Sequence, residues 1–338
     1  MPARINQSIQ PARRPSLQHG IAQRFLAHGN QRKLELARHL LDGGPLRVVD
    51  VGSLGGLQEE LRPALELIEA IAFDPNHDDC ARLNAAAAEA GHRHRFEPYV
   101  VGGEDGERPF YVCRKVSSSS LLRPNREFHS AFSAADRMDV TRVDRVHTRE
   151  FGRVLRMVDA RPEYLKLDAH GIERDLLESL SASQWTGLLA VFTEVLFAPL
   201  FIGQGEFGEL DATLRERGFR MYQLRRFSGR RAILDPRCSV SRGQLLFGDA
   251  LYLRSPADVD DDQRRRLALV ALLFNHYDLA IDLLRDDPVL ARQVEELAGR
   301  PRAIRILGIA LHLVGRIGGL IGGSPPGFWA SDSPFEWS

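Results

Sequence analysis

The segment LRVVDVGSLGG at 46–56, followed by IAFDP at 71–75, constrains this chain more than any other. Residues 46–51 are apolar and largely β-branched apart from Arg47 and Asp50, the pattern of a strand buried on both faces of a parallel sheet. Gly52, Gly55 and Gly56 then make a side-chain-poor turn into a helix expected over 57–67. Such a turn lets a ligand approach the backbone and the helix N-terminus. A second strand, 70–73, ends at another carboxylate, Asp74. In a doubly wound sheet both strand ends open into one crevice, where nucleotide-like ligands bind. A carboxylate at the second strand end suits the two hydroxyls of a ribose.

Two cofactors fit this arrangement. A dinucleotide site uses G-x-G-x-x-G, and the spacing Gly52-Ser53-Leu54-Gly55-Gly56 does not match it. A pyrophosphate also needs free N–H groups and an unopposed helix dipole, and Asp50 brings negative charge there. S-adenosylmethionine carries an ammonium and a sulfonium and no phosphate, so charge favours it. An ordinary strand–turn–helix is the plain structural alternative.

Bulk properties exclude several classes. Lys+Arg and Asp+Glu are 45 each, which gives no support to a nucleic-acid binder with a basic face. Cys80, Cys113 and Cys238 are widely spaced and lack metal-binding spacing, and are read as reduced thiols of a cytoplasmic protein. Residues 1–20 are polar and contain Pro and Arg, without the apolar stretch of a signal peptide. The apolar run at 306–315 is too short to span a bilayer, so no transmembrane segment is expected.

Three regions follow: a flexible arm at 1–20, an α/β domain at 21–255 and a helical appendage at 256–338. In the α/β region a first helix (21–41) ends at Gly43-Gly44-Pro45, and an Ala-rich helix runs over 75–91. Further strands are expected at 97–102, 108–114, 138–146, 164–167, 188–195, 219–224 and 244–253, with helices at 151–158, 173–180 and 207–217. Alternating strands and helices argue a three-layer α/β/α, mostly parallel sheet. The last two strands are joined by about twenty residues without a clear helix, which argues an antiparallel last strand. Beyond 256, amphipathic helices are expected at 264–284, 288–298 and 302–317, then an irregular Gly/Pro/aromatic tail.

The segment YLKLDAHGIERDLLESL at 164–180 joins VVDVGSLGG (48–56), AFDPN (72–76) and VFTEVLFAPLFIGQGEFGELDATLRERGF (191–219). Together, over about 45–253, these stretches resemble the FkbM-like family of class I S-adenosylmethionine-dependent methyltransferases. Lys166, Asp168, Gly171 and Glu173 match the family's lysine-isoleucine-aspartate strand and Glu-Gly-x-Glu turn; His170 departs from it, where a glutamate is usual. Ser119, Ser120 and Leu121 resemble its serine-rich segment. The resemblance implies a Rossmann-like fold and methyl transfer to a hydroxyl of a sugar, polysaccharide or secondary metabolite. It also implies that Asp50, Gly52, Ser53 and Gly55 line the methionine end of the cofactor. Asp74 would hold the ribose beside Pro75 and Asn76, with Val101 and Gly102 flanking the adenine at the end of the third strand. Asp168 would face the methyl group.

Methyl transfer is an in-line displacement on an activated carbon, so the protein must align an oxygen and remove its proton. His170, with an ordinary pKa near neutrality, suits the base, and Asp168 and Glu194 at neighbouring strand ends would orient it or bind a divalent cation through oxygen ligands. The structural alternatives are a helix cap for Asp168, a solvated turn for His170 and an arginine partner for Glu194. Glu173 is read as stabilising its own helix start. No compact His/Asp/Glu cluster is visible in the spacing, so a divalent metal is not favoured. The partners expected are a small-molecule or glycan acceptor and a second copy of the chain, as a homodimer through the helical region. Alternatives are a non-catalytic S-adenosylmethionine-binding protein and, disfavoured by the glycine spacing, an NAD-dependent oxidoreductase.

Overall fold

A computed structural model of the chain describes residues 17–133, 135–233 and 243–299, with side chains from residue 29 onward. The expected helix at 302–317, the tail after it, most of the N-terminal arm and Cys238 lie outside the described residues. The first helix, α1 (Leu17–Leu40), begins inside the expected arm. It leads to β1 (Leu46–Val51), β2 (Ile68–Phe73), α2 (His77–Glu89) and β3 (Arg93–Glu97). Next come β4 (Val100–Gly102), β5 (Gly106–Cys113), α3 (Arg126–His129), β6 (Val140–Glu150) and α4 (Phe151–Met157). The central segment is β7 (Tyr164–Leu167), α5 (Glu173–Glu178), α6 (Ala182–Gly187), β8 (Ala190–Leu196) and α7 (Phe207–Glu216). The described chain closes with β9 (Phe219–Gly229), β10 (Gln244–Arg254), α8 (Asp261–Leu273), α9 (Tyr277–Leu283) and α10 (Pro288–Ala298).

Seven strands form one sheet in the order β3-β2-β1-β7-β8-β10-β9. The β3-β2-β1-β7-β8 pairings are parallel, and β10 runs antiparallel to both β8 and β9, as expected from the long final connection. Side chains alternate between two faces. Leu46, Val48, Tyr164, Phe192, Leu251 and Leu253 pack under α1, α8, α9 and α10, while Val49, Val51, Leu165, Leu167, Val191 and Tyr252 pack under α4, α5, α6 and α7. The helices after 256 therefore share a core with β1, β7, β8 and β10. Residues 266–273 of α8 are all buried, so this helix is enclosed rather than amphipathic at its centre.

Three expectations need correction. The helix at 57–67 is a 3-10 segment, Glu59–Leu67, broken around Pro63, whose ring and missing N–H disrupt a regular α-helix. The helix at 264–284 is two helices, separated where Asn275 turns left-handed (φ +64°). The strand at 97–102 is two strands in different sheets. Pro98 follows the end of β3 and cannot donate to its ladder, so the chain leaves the large sheet there. Val101 and Gly102 therefore do not end the third strand; they belong to a second sheet, β4-β6-β5, beside the carboxyl edge of the first.

Candidate active site

A cavity of about 460 Å³ opens where β1, β2 and β7 end, roofed by the small sheet. The turn after β1 forms its floor. Gly52 has φ +79°, and a Cβ there would lie 2.1 Å from the carbonyl oxygen of Asp168, so only glycine lets the β1 and β7 ends approach this closely. Gly52 N–H donates to the Phe73 carbonyl oxygen (2.9 Å), tying the turn to β2. Gly55 N–H is occupied by Asp79 Oδ2 (2.8 Å) from α2. Asp74 lies at the cavity wall, held by the N–H of Asn76 on its Oδ1 (2.9 Å), and burial raises its pKa above the ordinary carboxylate value. Pro75, Asn76, Tyr99 and Val101 line the same side, and Phe110, Val112 and Val146 of the small sheet face them, with the Arg142–Asp144 pair among the lining residues.

Asp50 is fully buried and does not line the cavity. It lies beside Lys166 in the β1–β7 register and accepts from its Nζ at 2.9 Å; the same ammonium donates to the Gly52 carbonyl oxygen at 2.9 Å and lies 3.7 Å from Asp168 Oδ2. Burial pushes the Asp50 carboxyl up to about 6, against the pull of Lys166. Burial disfavours the charged Lys166, yet Asp50 and Asp168 outweigh it and raise its pKa. The pair fixes the glycine turn between two strand ends. Ser53, Gly55 and Gly102 are likewise outside the cavity lining, while Gly52, Asp74, Pro75, Asn76, Val101, Asp168 and His170 are in it.

The charges form a row across the sheet. Asp50, Lys166, Glu194 and Asp249 share the sheet face of Leu46, Tyr164, Phe192 and Leu251, by the two-residue period of a strand. Glu194 and Asp249 are directly opposite on β8 and β10, an arrangement that like charge disfavours. Arg225 of β9 pairs with Asp249, and His170 with Glu194. Burial still pushes the Asp249 carboxyl up to about 6.

The turn after β7 brings His170 beside Asp168 and Glu194. His170 is left-handed (φ +55°), and Glu173 holds the turn from below, accepting the N–H groups of Ala169 and Gly171 at 2.8 Å each. Glu173 thus ties together the turn that precedes its helix, and burial together with Glu194 lifts its carboxyl to about 8. The His170 ring stacks on Phe201, with Nδ1 3.3 Å from Glu194 Oε2 and 3.7 Å from Asp168 Oδ1. Its Nε2 lies 2.5 Å from the Ser117 carbonyl oxygen. Burial opposes charge on the ring, but Glu194 and Asp168 overcome it and push the pKa up to about 10. Both ring nitrogens thus face acceptors, Nε2 the Ser117 carbonyl and Nδ1 the Glu194 carboxylate. The Asp168 side chain is 44% exposed and Glu194 8%. Asp168 and His170 line both the first cavity and a second one of about 240 Å³, which Glu194, Phe201, Phe227, Phe247 and Asp249 also line.

The compact Asp168–His170–Glu194 cluster joins residues from two strand ends, which spacing alone does not reveal. Asp249 is the residue that sequence reasoning misses, although it is, like Lys166, a lone charge in an apolar strand (LLFGDALYL and YLKL), the signal that marks both. The small-sheet lining had no such signal.

A parallel sheet with an antiparallel final strand and a cavity at its carboxyl edge define a Rossmann-like, class I methyltransferase fold. Residues 62–221 match the family model for the methyltransferase FkbM domain, from the 3-10 segment through the start of β9 and just under half of the chain. Those residues are similar to a methyltransferase domain of the FkbM type. No curated protein matches this chain. Among solved structures it is similar to magnesium protoporphyrin IX methyltransferase from Synechocystis PCC 6803 with bound SAM, at 10% identity over 70% of this chain and 85% of that one, TM-score 0.32. It is also similar to a SAM-dependent methyltransferase from Agrobacterium tumefaciens, at 12% identity over 68% of this chain and 62% of that one, TM-score 0.31.

Proposed function

We propose that the chain methylates a hydroxyl of a sugar, polysaccharide or secondary metabolite, with S-adenosylmethionine in the first cavity and the acceptor in the second. The observation that carries this reading is that Asp168 and His170 line both cavities, where a methyl group would meet an acceptor oxygen. Two features support the cofactor reading: a carboxylate, Asp74, at the cavity wall is suited to a ribose, and the glycine turn at the cavity floor leaves room for close approach. When bound, S-adenosylmethionine supplies an activated methyl group on a sulfonium.

Asp168 is the more exposed carboxylate at the junction and is suited to accept the hydroxyl proton. His170, with an acceptor at each ring nitrogen, is suited to hold Glu194 and Asp168 in place rather than to act as the base. Phe201, Phe227 and Phe247 offer apolar faces and Asp249 and Glu194 offer acceptors, a mixture that suits a polyhydroxylated ring. A homodimer would use surfaces other than the centre of α8, which is enclosed within the chain. No helix among the described residues is long and apolar enough to cross a membrane. Cys80 and Cys113 are free and buried, which supports a cytoplasmic protein.

The test is transfer of labelled methyl to a panel of hydroxyl-bearing sugars and metabolites, with Asp168→Asn alongside. Transfer to oxygen, with turnover falling by about 10²–10⁴-fold in the variant and S-adenosylhomocysteine affinity little changed, is the expected outcome. Cofactor binding without transfer to any acceptor would favour the non-catalytic binding protein.

A further inference from the structure

We infer that Asp168, His170 and Glu194 bind a divalent cation at the junction of the two cavities. The inference rests on the reading of that junction as the methyl-transfer site and adds the group that would hold the acceptor hydroxyl. A carbonyl oxygen can only accept, so the contact of His170 Nε2 with Ser117 places a hydrogen on Nε2. A neutral ring then turns the Nδ1 lone pair toward Glu194 Oε2 at 3.3 Å and Asp168 Oδ1 at 3.7 Å, both acceptors as well. Three electron-pair donors converge on one point, which must hold either a proton or a cation. One ligand atom from each lies within 4.8 Å of the others, the spacing of one coordination shell. A backbone carbonyl on the far nitrogen is the arrangement that fixes the tautomer of metal-binding histidines.

Glu194 supplies an independent observation. Its side chain is more than nine-tenths buried, lines the second cavity, and has His170 as its sole hydrogen-bond partner among the described residues, through Oε2. The neighbourhood also carries an excess of negative charge. Asp50, Asp168, Glu194 and Asp249 face three permanent cations, Lys166, Arg225 and, lining the second cavity, Lys115. Two carboxylates and one imidazole suit Mg²⁺ or Mn²⁺, leaving coordination positions toward both cavities. A hydroxyl bound there becomes more acidic. Its oxygen forms the new bond to the methyl carbon while the carbon–sulfur bond breaks, the electron pair stays on sulfur, and the hydroxyl proton passes to the remaining oxygen of Asp168.

Manganese alone is the probe. Mn²⁺ is titrated into the purified, chelator-treated full chain and followed by loss of the free-ion electron paramagnetic resonance signal, with Glu194→Gln and Asp168→Asn in parallel. S-adenosylhomocysteine binding, measured on each sample, reports folding and the cofactor site separately. One bound Mn²⁺ per chain, weakened at least about tenfold in both variants while they still bind S-adenosylhomocysteine, is the expected result. No stoichiometric Mn²⁺ binding by a chain that binds S-adenosylhomocysteine, or equal Mn²⁺ affinity in the variants, overturns the cation site and leaves methyl transfer standing. Failure to bind S-adenosylhomocysteine would count against the cofactor reading instead.

Discussion

Asp74 and Asp50 show how two strand-end carboxylates with similar sequence settings come to differ. Asp74 ends β2 at the cavity wall, oriented by the Asn76 N–H and facing the space a ribose would take. Asp50 lies within β1, turned to the face covered by α1 and α8, where Lys166 is its partner. The two-residue period of the strand decides this, since one residue's displacement exchanges faces. Asp74→Ala is expected to weaken S-adenosylhomocysteine binding by about ten- to a hundredfold, the loss of a charge-assisted hydrogen bond of about 1.5–3 kcal/mol. Unchanged calorimetric affinity would remove Asp74 from the cofactor site. His170 illustrates the opposite kind of legibility: its position in the turn was plain from sequence, but its commitment to Ser117 and Glu194 depends on segments 53 and 24 residues away.

Elements built from apolar runs with one charge were readable, because burial on both faces leaves few other assignments for VVDV, YLKL or VFTEVL. Those interrupted by a single backbone feature were not. Pro98 ends the β3 ladder inside an otherwise strand-like EPYVVG, Pro63 breaks the helix after the glycine turn, and Asn275 turns the chain between α8 and α9 while apolar periodicity continues through it. That last turn is held from α1: Lys33 Nζ donates to the Leu273 carbonyl oxygen (3.2 Å) and to Asn275 Oδ1 (2.8 Å). Burial lowers the Lys33 pKa from 10.5 to about 8. Between those values the unfolded chain holds a proton that the folded chain has released, so this residue makes stability rise with pH through the window. Denaturant midpoints of the wild type minus those of Lys33→Met should rise from about pH 8 to 10.5; a flat difference would show that Lys33 is not desolvated.

Across the whole molecule, the sheet separates support from chemistry. Both faces and their helices, with the segment after 256 on one of them, bury the core; the carboxyl edge gathers the Asp50–Lys166 pair, the cluster around His170 and both cavities. Leu269 of α8 is fully buried against this core, so Leu269→Ala should cost about 2–5 kcal/mol in equilibrium unfolding. A change below about 0.5 kcal/mol, the size of a surface substitution, would contradict a shared core. Domain organisation was the least legible level, because an apolar helix reads the same whether it covers its own sheet or a neighbour. The central proposal is that this cavity, with its glycine turn, Asp74 and the Asp168–His170 junction, takes S-adenosylmethionine. Calorimetric titration of the purified chain with S-adenosylhomocysteine, and with NADH for comparison, tests it most directly. Saturable binding of S-adenosylhomocysteine with none of NADH is the predicted result; no S-adenosylhomocysteine binding, whatever NADH does, would contradict it.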